Sequence, residues 1–116
     1  FSTPADLSLS LRWIAFMANK TDCDLAASTG VHDATAVIKQ LLAGAGAVQV
    51  VSCLYQNGPE YITELLSGLE AWMAAKKFDR LDDFRGRLSQ EHSADPAVYE
   101  RAQFMRYFGG KKNVTL

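Results

Sequence analysis

The sequence lacks the features of membrane and nucleic-acid-binding proteins. Its 116 residues contain no apolar run of the roughly 18 residues that a membrane-spanning helix needs. The formal net charge is −1, and no basic stripe is interleaved with aromatic residues, so neither nucleic acid nor a membrane is an expected partner. Cysteine is scarce: Cys23 and Cys53 fall in or beside apolar segments, which favours reduced, buried thiols and a cytoplasmic protein.

Residue types that bind metals or attack substrates are also few. The two histidines, His32 and His92, and the two cysteines do not have the spacing of a zinc site. Cys53 lies in the most apolar segment, where burial disfavours the reactive thiolate. His32 stands alone before a helix and is expected to be exposed, although it could contact an anion. We therefore predict no metal site and no catalytic residue.

What the chain does contain is a globular composition, 48% apolar and 22% charged, at the size of one domain. The central stretch, Asp24 to Pro59, reads as strand, loop, helix and strand, which predicts a βαβ unit over residues 23–54. Asp33 is placed to cap its helix and Gly44 to end it. The second strand, Ala47 to Leu54, is rich in valine and uncharged, so we expect it to be buried on both faces.

Further helices are predicted on both sides of this unit. Thr3 and Pro4 begin a helix that reaches Asn19, and Pro59 begins another. The expected buried stripe of that later helix consists of Ile62, Leu65, Leu66, Leu69 and Met73. A short helix over Phe78 to Leu88 should pack on it, with the charges of Asp82 to Arg87 on a solvated, salt-bridged face. A last helix is predicted from Pro96 to Phe108.

Small and hydroxyl-bearing residues follow both predicted strands. They form the turn Ala27 to Val31 and the pair Val51-Ser52. Since the carboxyl ends of parallel strands share one edge of a sheet, a phosphate there could accept hydrogen bonds from backbone N–H groups and from the Ser28, Thr29 and Ser52 hydroxyls. The alternative is a small-residue turn that only packs helix against sheet, and the spacing alone leaves both possibilities open.

Several runs, collinear along the chain, resemble the C-terminal part of the dihydroorotate dehydrogenases, in particular their class 1 members. These runs are Thr29-Gly30-Val31, Ala43-Gly44-Ala45, Val48-Gln49-Val50, Tyr55 to Pro59 and Asp82 to Leu88. The resemblance implies an α/β fold, the C-terminal portion of a (β/α)8 TIM barrel. Residues 1–88 would supply strands seven and eight with their flanking helices, and residues 89–116 a helical extension and tail.

The resemblance also implies FMN as the cofactor. In the family, backbone amides of a Gly-Gly pair after strand seven and of a Gly-Thr pair at strand eight hold the FMN phosphate. By position these pairs become Thr29-Gly30 and Val51-Ser52, with the Ser28 hydroxyl in support. Because Thr29 and Val51 replace glycines, glycine-only dihedrals at these positions would cost about 1–3 kcal/mol.

The implied activity is that of a flavin oxidoreductase of pyrimidine biosynthesis, acting on a dihydropyrimidine-type substrate. The family's catalytic base and substrate-binding residues come from earlier strands, so this chain alone is expected to be inactive. Because it starts at Phe1 and supplies two strands, we expect a fragment that associates with the missing half of the barrel or with itself. The alternative is a non-catalytic α/β fragment that binds phosphate or is purely structural.

Overall fold

The structure is a computed structural model, and it describes residues 1–89. The predicted helix from Pro96 to Phe108, the tail that follows it and His92 lie outside the described residues. The described part is a small α/β domain with helices around a parallel pair of strands. Its elements, in chain order, are a 3-10 turn (Pro4–Asp6), α1 (Leu7–Met17), β1 (Ala26–Ala27), α2 (Ala34–Ala43), β2 (Ala47–Val48), α3 (Ser52–Asn57), α4 (Tyr61–Lys76) and a second 3-10 turn (Leu81–Asp83).

Local start signals place the first two helices where the sequence predicts them. The Asp6 carboxylate accepts a hydrogen bond from the Thr3 backbone N–H at 2.7 Å, which fixes the chain entering α1. The Asp33 carboxylate accepts one from the Ala36 N–H at 2.8 Å and so caps α2. Each signal needs residues only three positions apart, so it acts independently of the rest of the fold.

The strands are much shorter than predicted. Ala26 pairs with Ala47 and Ala27 with Val48 in parallel register, and the pairing ends there. The prediction of a strand over Ala47 to Leu54 is wrong beyond Val48, since Ser52 already begins α3. It is also wrong about burial, because Val51 is 59% exposed. A strand buried on both faces needs neighbours and covering layers, and within residues 1–89 β2 has β1 as its one partner.

The core lies between α2, α4 and the segment that follows α4. Its buried apolar residues are Ile38, Leu41, Leu69 and Phe84, of which Phe84 is fully buried. The Phe84 ring makes an edge contact with Trp72, with ring centroids 4.9 Å apart, so the segment after α4 packs on that helix as predicted. The predicted stripe of α4 is partly wrong, because Ile62 and Leu66 are 43% and 53% exposed.

Helices α2 and α4 approach closely at a pair of small residues. A Cβ atom added to Gly68 of α4 would overlap the Cβ atom of Ala34, the first residue of α2. A side chain at position 68 would therefore push the two helices apart. The absence of a side chain here, in mid-helix, is required by packing despite the cost of glycine to helix formation.

The segment after Asp83 caps the carboxyl end of α2. The N–H groups of Gly86 and Leu88 donate to the carbonyl oxygens of Leu41 and Leu42 at 3.0 and 2.8 Å. Arg85 donates through Nε to the Ala45 carbonyl and forms an ion pair with Asp82. The expected salt bridge is therefore present. The expected helical, solvated face is wrong for Arg85, whose guanidinium binds the backbone that follows α2.

Candidate functional site

A cleft of about 180 Å³ opens where the chain leaves β1 and β2. Its lining residues are Ser2, Ser28, Thr29, Gly30, Val31, Gln49, Val51 and Ser52. The set includes every residue that the sequence predicts for a phosphate site. Two loops more than twenty positions apart in the chain meet here because the parallel pairing of Ala26 with Ala47 brings both strand ends to one edge.

The loop after β1 has a left-handed backbone conformation and packs against α1. Thr29 and Gly30 both have a φ of 78°. A Cβ atom on Gly30 would overlap the backbone of Leu7, so this glycine allows the loop to lie directly on the start of α1. The Ser28 carbonyl accepts a hydrogen bond from the Ser10 hydroxyl at 2.6 Å, and Ser10 in turn accepts one from the buried amide of Gln40 at 3.0 Å.

The two positions at which the resemblance implies glycine, Thr29 and Val51, differ from each other in backbone conformation. Thr29 adopts a positive φ that is unfavourable for a β-branched residue, so the expected strain is present there. Val51 has a φ of −136°, outside the left-handed region, and the expected glycine-only conformation does not occur there. The strain of this site is concentrated in the loop after β1.

Ser52 is the most buried hydroxyl of the cleft, with 7% of its surface exposed. Its Oγ atom accepts a hydrogen bond from the Ser2 backbone N–H at 2.9 Å and lies 3.3 Å from the Ser2 Oγ atom. The N-terminal segment thus forms a third wall of the cleft. Sequence reasoning missed Ser2 because no local pattern links two residues fifty positions apart.

His32 is half-buried, contrary to the expectation of an exposed side chain. Its Nε2 atom lies 3.1 Å from the Ser2 carbonyl oxygen and 3.4 Å from the Ser2 Oγ atom. The His32 carbonyl accepts a hydrogen bond from the Tyr61 hydroxyl at 2.9 Å, which ties it to α4. His32 therefore contacts Ser2 from outside the cleft, and its ring is not among the lining groups.

The cleft is electrically neutral. Of the described residues that line it, none carries a charge at neutral pH. The Ala36 N–H in the first turn of α2 already donates a hydrogen bond to the Asp33 carboxylate. A ligand in the cleft would therefore be held by hydroxyl and amide dipoles and not by a cationic side chain.

The cysteines occupy different environments. Cys53 is fully buried, as predicted, whereas Cys23 is exposed, so the expectation of a buried thiol is wrong for Cys23. Cys23 lies before β1, which does not extend back to it.

Among residues 1–89, no three His, Cys, Asp or Glu side chains are grouped so that they could hold a metal ion. In the same range, each helix is too short or too polar to cross a membrane.

Comparison with known proteins identifies relatives of the chain. It is 33% identical over 85 residues to the catalytic subunit of dihydroorotate dehydrogenase B (NAD(+)) from Methanothermobacter thermautotrophicus, which covers 73% of this chain and 28% of that protein. The resemblance to dihydroorotate dehydrogenases is confirmed. The putative dihydroorotate dehydrogenase A (fumarate) of Streptococcus uberis is 39% identical over 59 residues, 51% of this chain and 19% of the relative.

A third relative is the probable dihydroorotate dehydrogenase A (fumarate) of Enterococcus faecalis, 34% identical over 71 residues, which are 61% of this chain and 23% of that enzyme. The relatives thus include both the A and the B types of dihydroorotate dehydrogenase. No family model matches the chain. The chain spans between 19% and 28% of the length of these three dihydroorotate dehydrogenases.

Proposed function

We propose that this chain is the FMN-phosphate-binding portion of a dihydroorotate dehydrogenase-like flavin oxidoreductase. The chain would supply strands seven and eight of a (β/α)8 barrel, with the cleft at the carboxyl ends of those strands. The whole enzyme would act on a dihydropyrimidine-type substrate in cytoplasmic pyrimidine biosynthesis. The relatives named above support the oxidoreductase assignment, and the cleft supports the part that this chain plays in it.

The observation that carries the proposal is the convergence of Thr29-Gly30 and Val51-Ser52 on one neutral cleft. A phosphate group is bound well by backbone N–H groups and hydroxyls that are fixed in position before it arrives. Ser28, Thr29 and Ser52 place hydroxyl groups around the cleft. Ser52 is the most buried of the three, so its hydroxyl is positioned to bind a group that enters the cleft. The residues present therefore fit a phosphate group.

The chemistry that a bound flavin would supply is the transfer of electrons between the substrate and an acceptor. The residues of this chain that line the cleft carry hydroxyl, amide and aliphatic groups, and the described ones include no general acid or base. Their role in the proposal is to bind and orient the phosphate end of the cofactor. Proton transfer would belong to parts of the barrel outside this chain.

The proposal is tested by comparing FMN with riboflavin, which is the same flavin without the phosphate. Titration of the full chain, followed by quenching of flavin fluorescence, should show binding of FMN and at least tenfold weaker binding of riboflavin. Ser52→Ala should weaken FMN binding by about tenfold, because a hydrogen bond to a charged group is lost. Ser67→Ala, on the exposed side of α4, is the matched control and should leave binding unchanged. Equal affinity for FMN and riboflavin, or no binding of either, would refute the proposal.

The second candidate is a non-catalytic α/β fragment that binds phosphate, or is structural, and self-associates. It is favoured by the short sheet, in which β1 and β2 each have one partner among the described residues, and by the exposed Val51, Ile62 and Leu66 side chains. Inorganic phosphate binding without FMN binding, together with a concentration-dependent dimer in sedimentation equilibrium, would select this candidate. A monomer at millimolar concentration would exclude self-association.

A further inference from the structure

We infer that His32 is a positioning residue for the cleft, and that it acts through Ser2 to aim the Ser52 hydroxyl proton at the ligand. The inference deepens the proposed function and rests on it in one respect, namely that the ligand presents a phosphate group. His32 itself does not line the cleft. Its effect is transmitted by hydrogen bonds whose directions follow from the atoms involved.

The direction of the first hydrogen bond is fixed by a carbonyl group. The Nε2 atom of His32 lies 3.1 Å from the Ser2 carbonyl oxygen, which has no proton to donate. Nε2 must therefore carry the proton and donate it. The same N–H also faces the Ser2 Oγ atom at 3.4 Å, so that this oxygen is an acceptor from His32.

The second step follows from the first. Because Ser2 Oγ accepts from His32, its own proton is available for the Ser52 Oγ atom, 3.3 Å away. Ser52 Oγ also accepts from the Ser2 backbone N–H at 2.9 Å. A hydroxyl oxygen has two lone pairs, and these two contacts use both. What remains on Ser52 is its single proton.

The structure gives that proton no acceptor among residues 1–89, although Ser52 is only 7% exposed and lines the cleft. A donor without a protein partner gains a hydrogen bond when a ligand oxygen enters the cleft. A phosphate oxygen accepts hydrogen bonds and donates none when ionised. The relay therefore selects an acceptor ligand over one that presents a donor.

The same geometry excludes a different role for His32. In a serine nucleophile pair, the imidazole nitrogen nearest the hydroxyl must be free to take its proton. Here Nε2 already carries a proton that the Ser2 carbonyl accepts. His32 consequently fixes the Ser2 main chain and side chain and does not activate Ser2 for attack.

A double-mutant cycle in the full chain separates positioning from a general structural role. His32→Phe keeps a flat ring without the N–H group, and His32→Gln places an N–H the same number of bonds from Cα. With FMN as the probe, His32→Phe should weaken binding by about three- to tenfold and His32→Gln should restore most of the loss. In a Ser52→Ala background, His32→Phe should have no further effect, because the hydroxyl that it aims is gone.

Additive losses in the cycle, or unchanged binding in His32→Phe, would overturn the inference while leaving the FMN proposal intact. If wild-type protein binds inorganic phosphate but not FMN, the proposed function fails, and the same cycle measured with phosphate decides the role of His32. Binding of neither probe overturns both. An independent readout is the imidazole tautomer in long-range ¹H–¹⁵N spectra: Nε2–H supports the relay, and a neutral ring protonated at Nδ1 overturns it.

Discussion

The Oγ atom of Ser52 accepts a hydrogen bond from the backbone N–H of Ser2 at 2.9 Å, so the N-terminal segment is tied directly to the start of α3. This bond should contribute to stability as well as to binding. Ser52→Ala leaves the Ser2 N–H without its partner and should lower the free energy of unfolding by about 1–2 kcal/mol. Urea denaturation checks this, with Ser67→Ala expected to stay within about 0.5 kcal/mol of wild type. Equal stabilities of the two variants would mean that solvent replaces the Ser2 bond at no cost.

Thr29 is strained, and glycine should relieve the strain. Its φ of 78° is unfavourable for a β-branched residue and is open to glycine. Thr29→Gly should therefore raise the free energy of unfolding by about 0.5–1 kcal/mol, the relief of strain outweighing the greater freedom of glycine in the unfolded chain. Thr35→Gly, at an exposed position of α2, is the control and should lower it by a similar amount. Destabilisation by both variants would show that Thr29 makes contacts that outweigh its backbone strain.

Gly68 should tolerate no side chain, although alanine normally stabilises a helix by about 1 kcal/mol relative to glycine. The added methyl group would overlap the Cβ atom of Ala34, so Gly68→Ala should lower the free energy of unfolding by about 1–3 kcal/mol. Combining it with Ala34→Gly removes the overlapping atom and should recover part of the loss. Thermal unfolding of the single and double variants measures this coupling. Additive losses would contradict the close packing of α2 on α4.

Phe84 should be the most costly residue of the core to truncate. It is fully buried, and its ring contacts those of Trp72 and Phe78 with centroids 4.9 and 5.3 Å away. Phe84→Ala should lower the free energy of unfolding by about 3–5 kcal/mol. Leu88→Ala, at a side chain that is 56% exposed, should cost less than about 1 kcal/mol. A smaller loss for Phe84 than for Leu88 would contradict the packing of this segment on α4.

The parts of the fold that sequence reasoning predicted correctly depend on short-range signals. The Asp33 cap and the end of α2 near Gly44 need only neighbouring residues, and both predictions are confirmed. The extent of β2 was predicted wrongly because it depends on how many strands lie beside it, which valine content does not reveal. The burial of Ile62 and Leu66 was wrong for a related reason, since helical spacing does not show how wide the covered stripe is.

The candidate site was likewise predictable from the sequence only in part. The loops after β1 and β2 could be placed together because parallel strands present their carboxyl ends at one edge, and the structure has both loops on one cleft. Their binding of a phosphate stays a prediction. The contribution of Ser2 could not be found from sequence, because it depends on a contact between distant segments. The position of His32 behind Ser2 has the same origin.

The hydrogen bonds from Gly86 and Leu88 to the last carbonyl groups of α2 have a consequence for how the domain can be shortened. A chain cut after Lys77 would lose Phe84 from the core and would leave the Leu41 and Leu42 carbonyl groups to solvent. The stretch from Leu81 to Ser89 is therefore an integral part of the folding unit and not a linker to whatever follows. Proteolytic cleavage at the exposed Lys77 should leave two pieces that remain associated under native conditions. The hydrogen bonds of the Leu81 to Ser89 segment and its aromatic contact with Trp72 would hold them together.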